Sequence, residues 1–244
     1  METIPPAFGK PVRTPWEDFP EVILHSSIWK LKSLPEYQAA KKGNARAAQA
    51  LVQWLIKPTQ INLHVDFVVP VVQIDRGHFN AIPVAFGALL AKSLKAKLWL
   101  GISQMNVVSH TASSAVERIL HQPVFGGVAP RGTCLICDDV VTYGSSLANL
   151  RGFLENQGSR VLAATTIAAG YGSTRLRPEA NLLNRIQNRY AEELKKITQT
   201  FGFGSDCLTG RETYFFDQLR TADHLRTVFA PVLGPSNRSR GIRI

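Results

Sequence analysis

The run Cys134-Leu-Ile-Cys-Asp-Asp-Val-Val-Thr-Tyr-Gly-Ser-Ser-Leu147 sets two acids at the end of an apolar stretch and a small, hydroxyl-rich turn directly after them. Asp138 and Asp139 can accept hydrogen bonds from neighbouring hydroxyls of a sugar. They can also hold Mg2+ through water, because that ion usually keeps several of its own waters. Thr142, Tyr143, Gly144, Ser145 and Ser146 then lead into a helix. Gly144 brings no Cβ to obstruct a phosphate, and the successive N–H groups of such a turn point at an anion. The helix terminus adds about 0.3–1 kcal/mol to each contact. As spacing alone, the same residues also fit a cap-rich turn with two exposed acids.

The elements around this motif decide its meaning. Gly132 to Cys137 reads as a strand, and a helix starting near Ser145 or Ser146 buries Leu147, Leu150 and Leu154 before Gly158 ends it. In open α/β sheets ligands sit beyond the carboxyl ends of the strands, which is where the acids fall. Upstream, Asn44 caps a helix carrying Leu51, Trp54 and Leu55 that Pro58 ends. Asp66 to Val72 reads as a buried strand shortened by Pro70. A polar loop from Gln73 to Asn80 holds Arg76 and Gly77, and a helix follows over 82–94 with Pro83 in its first turn. Lys97 to Ile102 and Arg160 to Ile167 are further strands. The stretch from Ser103 to Gly127 is long, polar and short of regular pattern, as functional or mobile loops are.

Strand and helix in alternation predict an open, mostly parallel twisted α/β sheet flanked by helices, with a helical C-terminal appendage. Residues 1–60 form an irregular and helical segment available as a hood, 61–175 the core, and 176–244 the extension. In that extension Asn181 to Ile197 is helical, Thr209-Gly-Arg-Glu212 fits a capping box, and another helix starts near Thr221. Residues 1 to about 20 are a proline-rich lead-in.

With 244 residues and ordinary apolar content, the chain can bury a sizeable core. No apolar run approaches the ~20 residues that span a bilayer, and Met1-Glu-Thr-Ile-Pro-Pro lacks the pattern of a secretory signal, so a cytoplasmic protein with no membrane association is expected. Three cysteines argue against a disulfide framework. Cys134 and Cys137 are spaced to face opposite sides of a strand, so one metal cannot join them. The net charge of +10 suits anionic partners, either phosphorylated metabolites or nucleic acid, without choosing between them. Arg238, Arg240 and Arg243 concentrate some of that charge in the tail.

A Walker phosphate loop is absent, and Gly202-Phe-Gly204 follows a helix rather than a strand, so no dinucleotide fingerprint stands. His78 and His110 can handle protons or simply be solvated; Arg118 can reach a phosphate or form a surface ion pair. Trp29, Trp54 and Trp99 suit core or lid packing better than base stacking.

Leu135 to Leu147 resembles the phosphoribosyl pyrophosphate (PRPP) signature of type I phosphoribosyltransferases. The apolar run Val68 to Val72, the loop Arg76-Gly-His-Phe-Asn80, Arg118 and Phe125 resemble the competence-protein F-like branch in particular. The whole chain is also similar to phosphoribosyltransferase-like proteins encoded on bacterial mobile elements. The core resemblance covers about residues 61–170. It implies a type I phosphoribosyltransferase-like core that transfers a phosphoribosyl group to a nitrogenous acceptor and releases pyrophosphate. Asp138 and Asp139 would meet the ribose hydroxyls directly or through Mg2+, and Thr142 to Ser146 would cradle the phosphate of PRPP or of a nucleoside phosphate. Gln73 to Gly77 would form the pyrophosphate loop with Arg76 near the leaving group, and 103–127 would close over the site. A homo-oligomer, a dimer in the simplest case, is expected.

Two departures narrow this. Tyr143 stands where many members have a small hydroxylated residue, and Thr142 where 6-oxopurine enzymes place an acid, which disfavours hypoxanthine or guanine salvage. No cysteine precedes Cys134, so no zinc ribbon is expected. A second reading is a non-catalytic nucleotide- or PRPP-sensing module for DNA uptake, transfer or regulation, whose basic C-terminus contacts DNA or a protein.

Overall fold

A computed structural model describes residues 9–57, 61–75, 78–106 and 115–233, the side chains of Ile74, Asp75 and His78 excepted. From the N-terminus the elements are β1 (Ile23–Leu24), α1 (Ile28–Ser33), α2 (Tyr37–Lys41), α3 (Ala45–Leu55), β2 (Phe67–Pro70), β3 (Ile74–Asp75), β4 (His78–Phe79) and α4 (Ile82–Leu94). They continue with β5 (Lys97–Leu98), β6 (Ile102–Gln104), α5 (Ala115–Leu120), β7 (Phe125–Gly127), β8 (Thr133–Val141), α6 (Ser145–Asn156) and β9 (Arg160–Ala169). The C-terminal part is helical: α7 (Ala180–Phe201), α8 (Gly210–Gln218), α9 (Ala222–Val228) and α10 (Ala230–Leu233).

Five strands form one sheet in the order β1-β9-β8-β2-β5, and every pairing in it is parallel. The longest strands, β8 and β9, sit together at its middle. Parallel strands are covered on both faces, which is why they read as continuous apolar runs. On one face Leu135 and Cys137 pack with Leu51 and Val52 of α3 and Phe86 and Leu90 of α4. On the other, Cys134 and Ile136 pack with Leu147, Leu150 and Leu154 of α6. The two cysteines thus lie in different cores, as their spacing predicts. Burial pushes the Cys134 thiol up to about 11 and Cys137 upward too, so both are inert packing groups. A third core joins α5 to the C-terminal helices through Ile119, Tyr190, Phe216 and Phe229.

The predicted helices at Asn44, Pro83 and Ser145 are present, as are the Thr209–Glu212 capping box and the helix capped by Thr221. Pro70 ends β2; its missing donor faces the β5 side, where pairing has already stopped at Val68. Four expectations change. The strand expected over Lys97 to Ile102 is broken at Trp99–Gly101, and Ile102 onward pairs instead with β7 in a separate two-stranded sheet. The 103–127 stretch therefore carries regular structure at both ends, with α5 docked in the third core; residues 107–114 lie outside the description. β8 runs through the acid pair to Val141, because Asp138 and Val140 continue the ladder with Thr166 and Ala168. Trp29 and Trp54 are 78% and 60% exposed and are not core, with the Lys30 ammonium over the Trp54 ring; Trp99 meets Phe67 edge-on.

The proline-rich lead-in is irregular but docked. Arg151 of α6 donates to the Pro15 carbonyl at 3.3 Å and stacks on Trp16 and Phe19. Gly152 makes the crossing: a Cβ there would run into the Val12 carbonyl oxygen and the Arg13 backbone. The edge strand β1, added to β9 by this same segment, has no apolar periodicity long enough to be seen in the sequence.

Candidate functional site

Successive residues of β8 point to opposite sides of the sheet, and this separates the two acids. Asp138 lines a cleft of about 610 Å³ with the turn from Thr142 to Ser146 and with Arg118 of α5. Lys32 of α1, with Gln38 and Lys41 of α2, closes the same cleft from the N-terminal segment. Asp139 is buried and turned toward α2. Its Oδ2 accepts from the Lys41 ammonium at 2.6 Å and from Asn80 Nδ2 at 3.1 Å, and its Oδ1 accepts from the Val140 N–H at 2.9 Å. The Asp139 N–H donates to Asp138 Oδ1 at 2.8 Å.

Desolvation, and then the neighbouring Asp139 charge, push the Asp138 carboxyl well above the usual carboxylate range. Burial alone would lower Lys41, but the Asp139 carboxylate outweighs it and holds the ammonium above its ordinary value. Lys41 is placed from below by α2. Ala40 is fully buried, and its carbonyl accepts the Ala81 N–H at 3.1 Å at the start of α4. The hood helices are thus anchored to the element that follows the Gln73–Asn80 loop.

The turn after β8 is built for exposure of its backbone. Gly144 is the N-cap of α6 with φ +80°, and no side chain caps that end. A Cβ at Gly144 would lie 2.5 Å from Leu176 Cδ2. The open side that the sequence assigned to a phosphate is therefore filled by Leu176, and the glycine serves the turn itself. Gly144→Ala is expected to destabilise the fold by about 2 kcal/mol through left-handed strain and that clash; urea unfolding with an unchanged midpoint would contradict this. Ser145 is buried and donates to Glu212 Oε1 at 2.7 Å, so its hydroxyl is committed and only its backbone can face a ligand. Arg118 Nη1 donates to Thr142 Oγ1 at 3.2 Å, which brings the arginine to the turn. Tyr143 is half-buried; burial raises its phenol against the pull of Arg211 and Arg118.

Gln73 does not line the cleft; it bridges to Gln104, and the Gln104 N–H donates to the Val72 carbonyl at 2.7 Å. Arg76, Gly77 and His110, together with Arg238, Arg240 and Arg243, lie outside the described residues.

Sequence reasoning missed three parts of the site. Lys41 sits in a helix of five residues with no motif around it. Asn80 was visible as a loop residue but not as a partner of Asp139. The third is a buried hub beneath the turn. Arg13 from the lead-in forks onto Glu212 at 2.7 and 2.8 Å, and its remaining donors meet Gln122 at 2.7 Å, Asn149 at 2.5 Å and the Cys207 carbonyl at 3.0 Å. Glu212 also accepts from Ser145 and from the Thr209 N–H, while Thr209 Oγ1 donates to the Tyr143 carbonyl at 2.5 Å. The capping box was the one sequence signal for it.

The two acids meet different surroundings. Both Asp139 oxygens are engaged, one by an ammonium, and Asp138 faces the cleft with one oxygen already accepting an N–H. Among the described residues no three His, Cys, Asp or Glu side chains cluster as metal ligands.

No family model matches the chain. Over 229 residues, 90% of this chain, it is 32% identical to Protein TraN of Escherichia coli, and it covers 51% of that protein. Over 152 residues it is 32% identical to an uncharacterized protein of Haemophilus influenzae, covering 59% of this chain and 34% of that one. The chain thus spans about half the length of the first relative and a third of the second. Among solved structures, an adenine phosphoribosyltransferase superposes with a TM-score of 0.33 at 16% identity, over 52% of this chain and 72% of that one. Orotate phosphoribosyltransferase from Aeropyrum pernix superposes with a TM-score of 0.29 at 21% identity, over 50% and 55%. Superpositions at that level leave the function to be argued from the cleft.

Proposed function

We propose that the cleft binds PRPP or a nucleoside phosphate and that the protein transfers the phosphoribosyl group to a nitrogenous acceptor. The observation that carries this reading is convergence: an uncapped helix start, Arg118, Lys32 and Lys41 meet around Asp138, the one acid lining the cleft among the described residues. With Lys41 paired to Asp139, Lys32, Lys41 and Arg118 still outnumber the two acids, which suits an anion that also offers hydroxyl donors. By contrast, the cavity of about 670 Å³ beside α7 has only Lys195 and Asp206 as charged lining.

In this reading the backbone of Thr142 to Ser146 holds the sugar's phosphate and Asp138 accepts from the ribose hydroxyls. The acceptor nitrogen forms a bond to the anomeric carbon as the carbon–oxygen bond to pyrophosphate breaks; pyrophosphate leaves with the electron pair, and the proton of the acceptor nitrogen passes to solvent. The cations stabilise the departing charge, while the Asp138 carboxylate stabilises the positive charge on the sugar. Arg76, from the loop after β2, belongs to the same proposal as the leaving-group cation. If Mg2+ accompanies the diphosphate, Asp138 is the facing acid that would help to hold it, and the ion would neutralise charge on the leaving group; the homodimer remains part of the proposal. Purified protein incubated with PRPP and a panel of nucleobases should release pyrophosphate with one of them.

A second reading, a nucleotide-sensing module that also contacts DNA, draws on another surface. Tyr171, 95% exposed, and Tyr214 line a groove beside α8 in which Arg175, Arg177 and Arg185 are ion-paired with Glu21, Glu179, Asp18 and Asp217, while Arg211 lies over the Tyr214 ring. The two tyrosines and Arg211 are what a single strand could stack on and pair with there. Tyr171→Ala combined with Arg211→Ala should then weaken single-stranded DNA binding about tenfold at low salt, with cleft binding of PRPP unchanged; equal DNA affinity in the double variant removes this reading.

A further inference from the structure

The place beside Asp139 where a metal would sit holds an ammonium instead. Lys41 Nζ lies 2.6 Å from Asp139 Oδ2; the lysine side chain is 37% exposed and that of the aspartate 7%. One side of the ammonium therefore faces a desolvated carboxylate while the other faces the cleft, beside Asp138 and the turn. Asn80 covers the same carboxylate oxygen at 3.1 Å, and the Val140 N–H takes the other. A divalent ion reaching Asp139 would have to displace the lysine and leave its charge unpaired in the same enclosure, which is costly.

Resting on the phosphosugar reading above, we infer that Lys41 is the resident counter-cation of this site and that binding of the anionic ligand does not depend on a divalent metal. An ammonium has three donors. One serves Asp139, and the others are free to meet phosphate oxygens entering between α2 and the turn. The lysine thus supplies on the protein the bridging positive charge between carboxylate and phosphate. Because α2 carries it, the N-terminal hood is a determinant of ligand affinity as well as a cover. Arginine is long enough to retain the charge, whereas methionine keeps the stem and loses it.

The test is calorimetric titration of PRPP, and separately of ribose 5-phosphate, into the full chain in EDTA and in excess Mg2+. The wild-type affinity is expected to differ by less than about threefold between the two conditions, since no protein-held ion is lost. Lys41→Met should bind about tenfold or more weakly in EDTA, and Mg2+ should restore part of the loss because Asp139 is then released. Lys41→Arg should keep most of the EDTA affinity. Wild-type binding that needs Mg2+, or Lys41→Met binding in EDTA as tightly as wild type, overturns the inference while leaving the phosphosugar site standing. No binding by wild type in either condition overturns the site reading itself, and this inference with it. Circular dichroism establishes that Lys41→Met is folded; if it is not, the wild-type and Lys41→Arg titrations in EDTA decide alone.

Discussion

Replacing Arg13 with methionine is expected to cost the fold about 3–5 kcal/mol, because it strands the Glu212 carboxylate in an enclosed hub. In a chain of this length each kcal/mol moves the melting temperature by about 2–4 °C, so a drop of roughly 6–20 °C should appear in thermal unfolding. The pair is fully enclosed, with side-chain exposures of 1% and 0%. Five further groups depend on it: Ser145, Asn149, Gln122, the Thr209 N–H and the Cys207 carbonyl. Replacing both charges, Arg13→Met with Glu212→Leu, should recover much of the loss, since the penalty comes from one unpaired charge.

Acid sensitivity follows from the same hub. Burial would raise the Glu212 carboxyl, but the Arg13 guanidinium and the Ser145 and Thr209 donors outweigh it and hold the group below its ordinary value. A depressed folded value means that the unfolded chain binds the proton first as pH falls. The stability is therefore present above the ordinary glutamate range, near pH ~4.3, and is lost as pH drops through the folded value. Glu212→Gln should show a flatter acid limb in its stability profile; an unchanged limb would mean the hub does not set it.

Asp138→Asn is expected to act on binding and stability in opposite directions. Affinity for PRPP should fall about tenfold to a hundredfold, the cost of a charged acceptor lost to ribose hydroxyls. At neutral pH the same variant should melt higher than wild type. The Asp138 carboxyl is held well above the usual range, chiefly by desolvation and then by Asp139. The folded state therefore keeps its proton more readily, and stability declines as pH rises from the ordinary aspartate value through the folded one. Asparagine has no charge to desolvate. A variant that binds PRPP normally, or that melts lower at neutral pH, would contradict this account of the acid.

The sheet and its helices were legible because parallel strands buried on both faces and helices with capping residues announce themselves locally. The turn from Thr142 to Ser146 was legible for the same reason: strand, acids, glycine and helix are contiguous. What was not legible is what comes to that turn from far away. Lys41 meets Asp139 across 98 positions and Arg13 meets Glu212 across 199, and neither lysine nor arginine carries a local pattern that names its partner. The acid pair shows the same limit at close range. Adjacent in sequence, Asp138 and Asp139 were read as one ligand set, yet the pleat of β8 sends one to the cleft and the other to α2. Trp54 fell at helical spacing with Leu51 and Leu55, but the width of the apolar stripe did not extend to it.

Titration of PRPP into the full chain, with Arg118→Ala beside wild type, decides whether the cleft beyond β8 is a phosphosugar site. Saturable binding of one ligand per chain is expected, weakened about tenfold or more in the variant by loss of a charge-assisted phosphate contact. Absence of saturable binding by wild type, in EDTA and in Mg2+ alike, would contradict it.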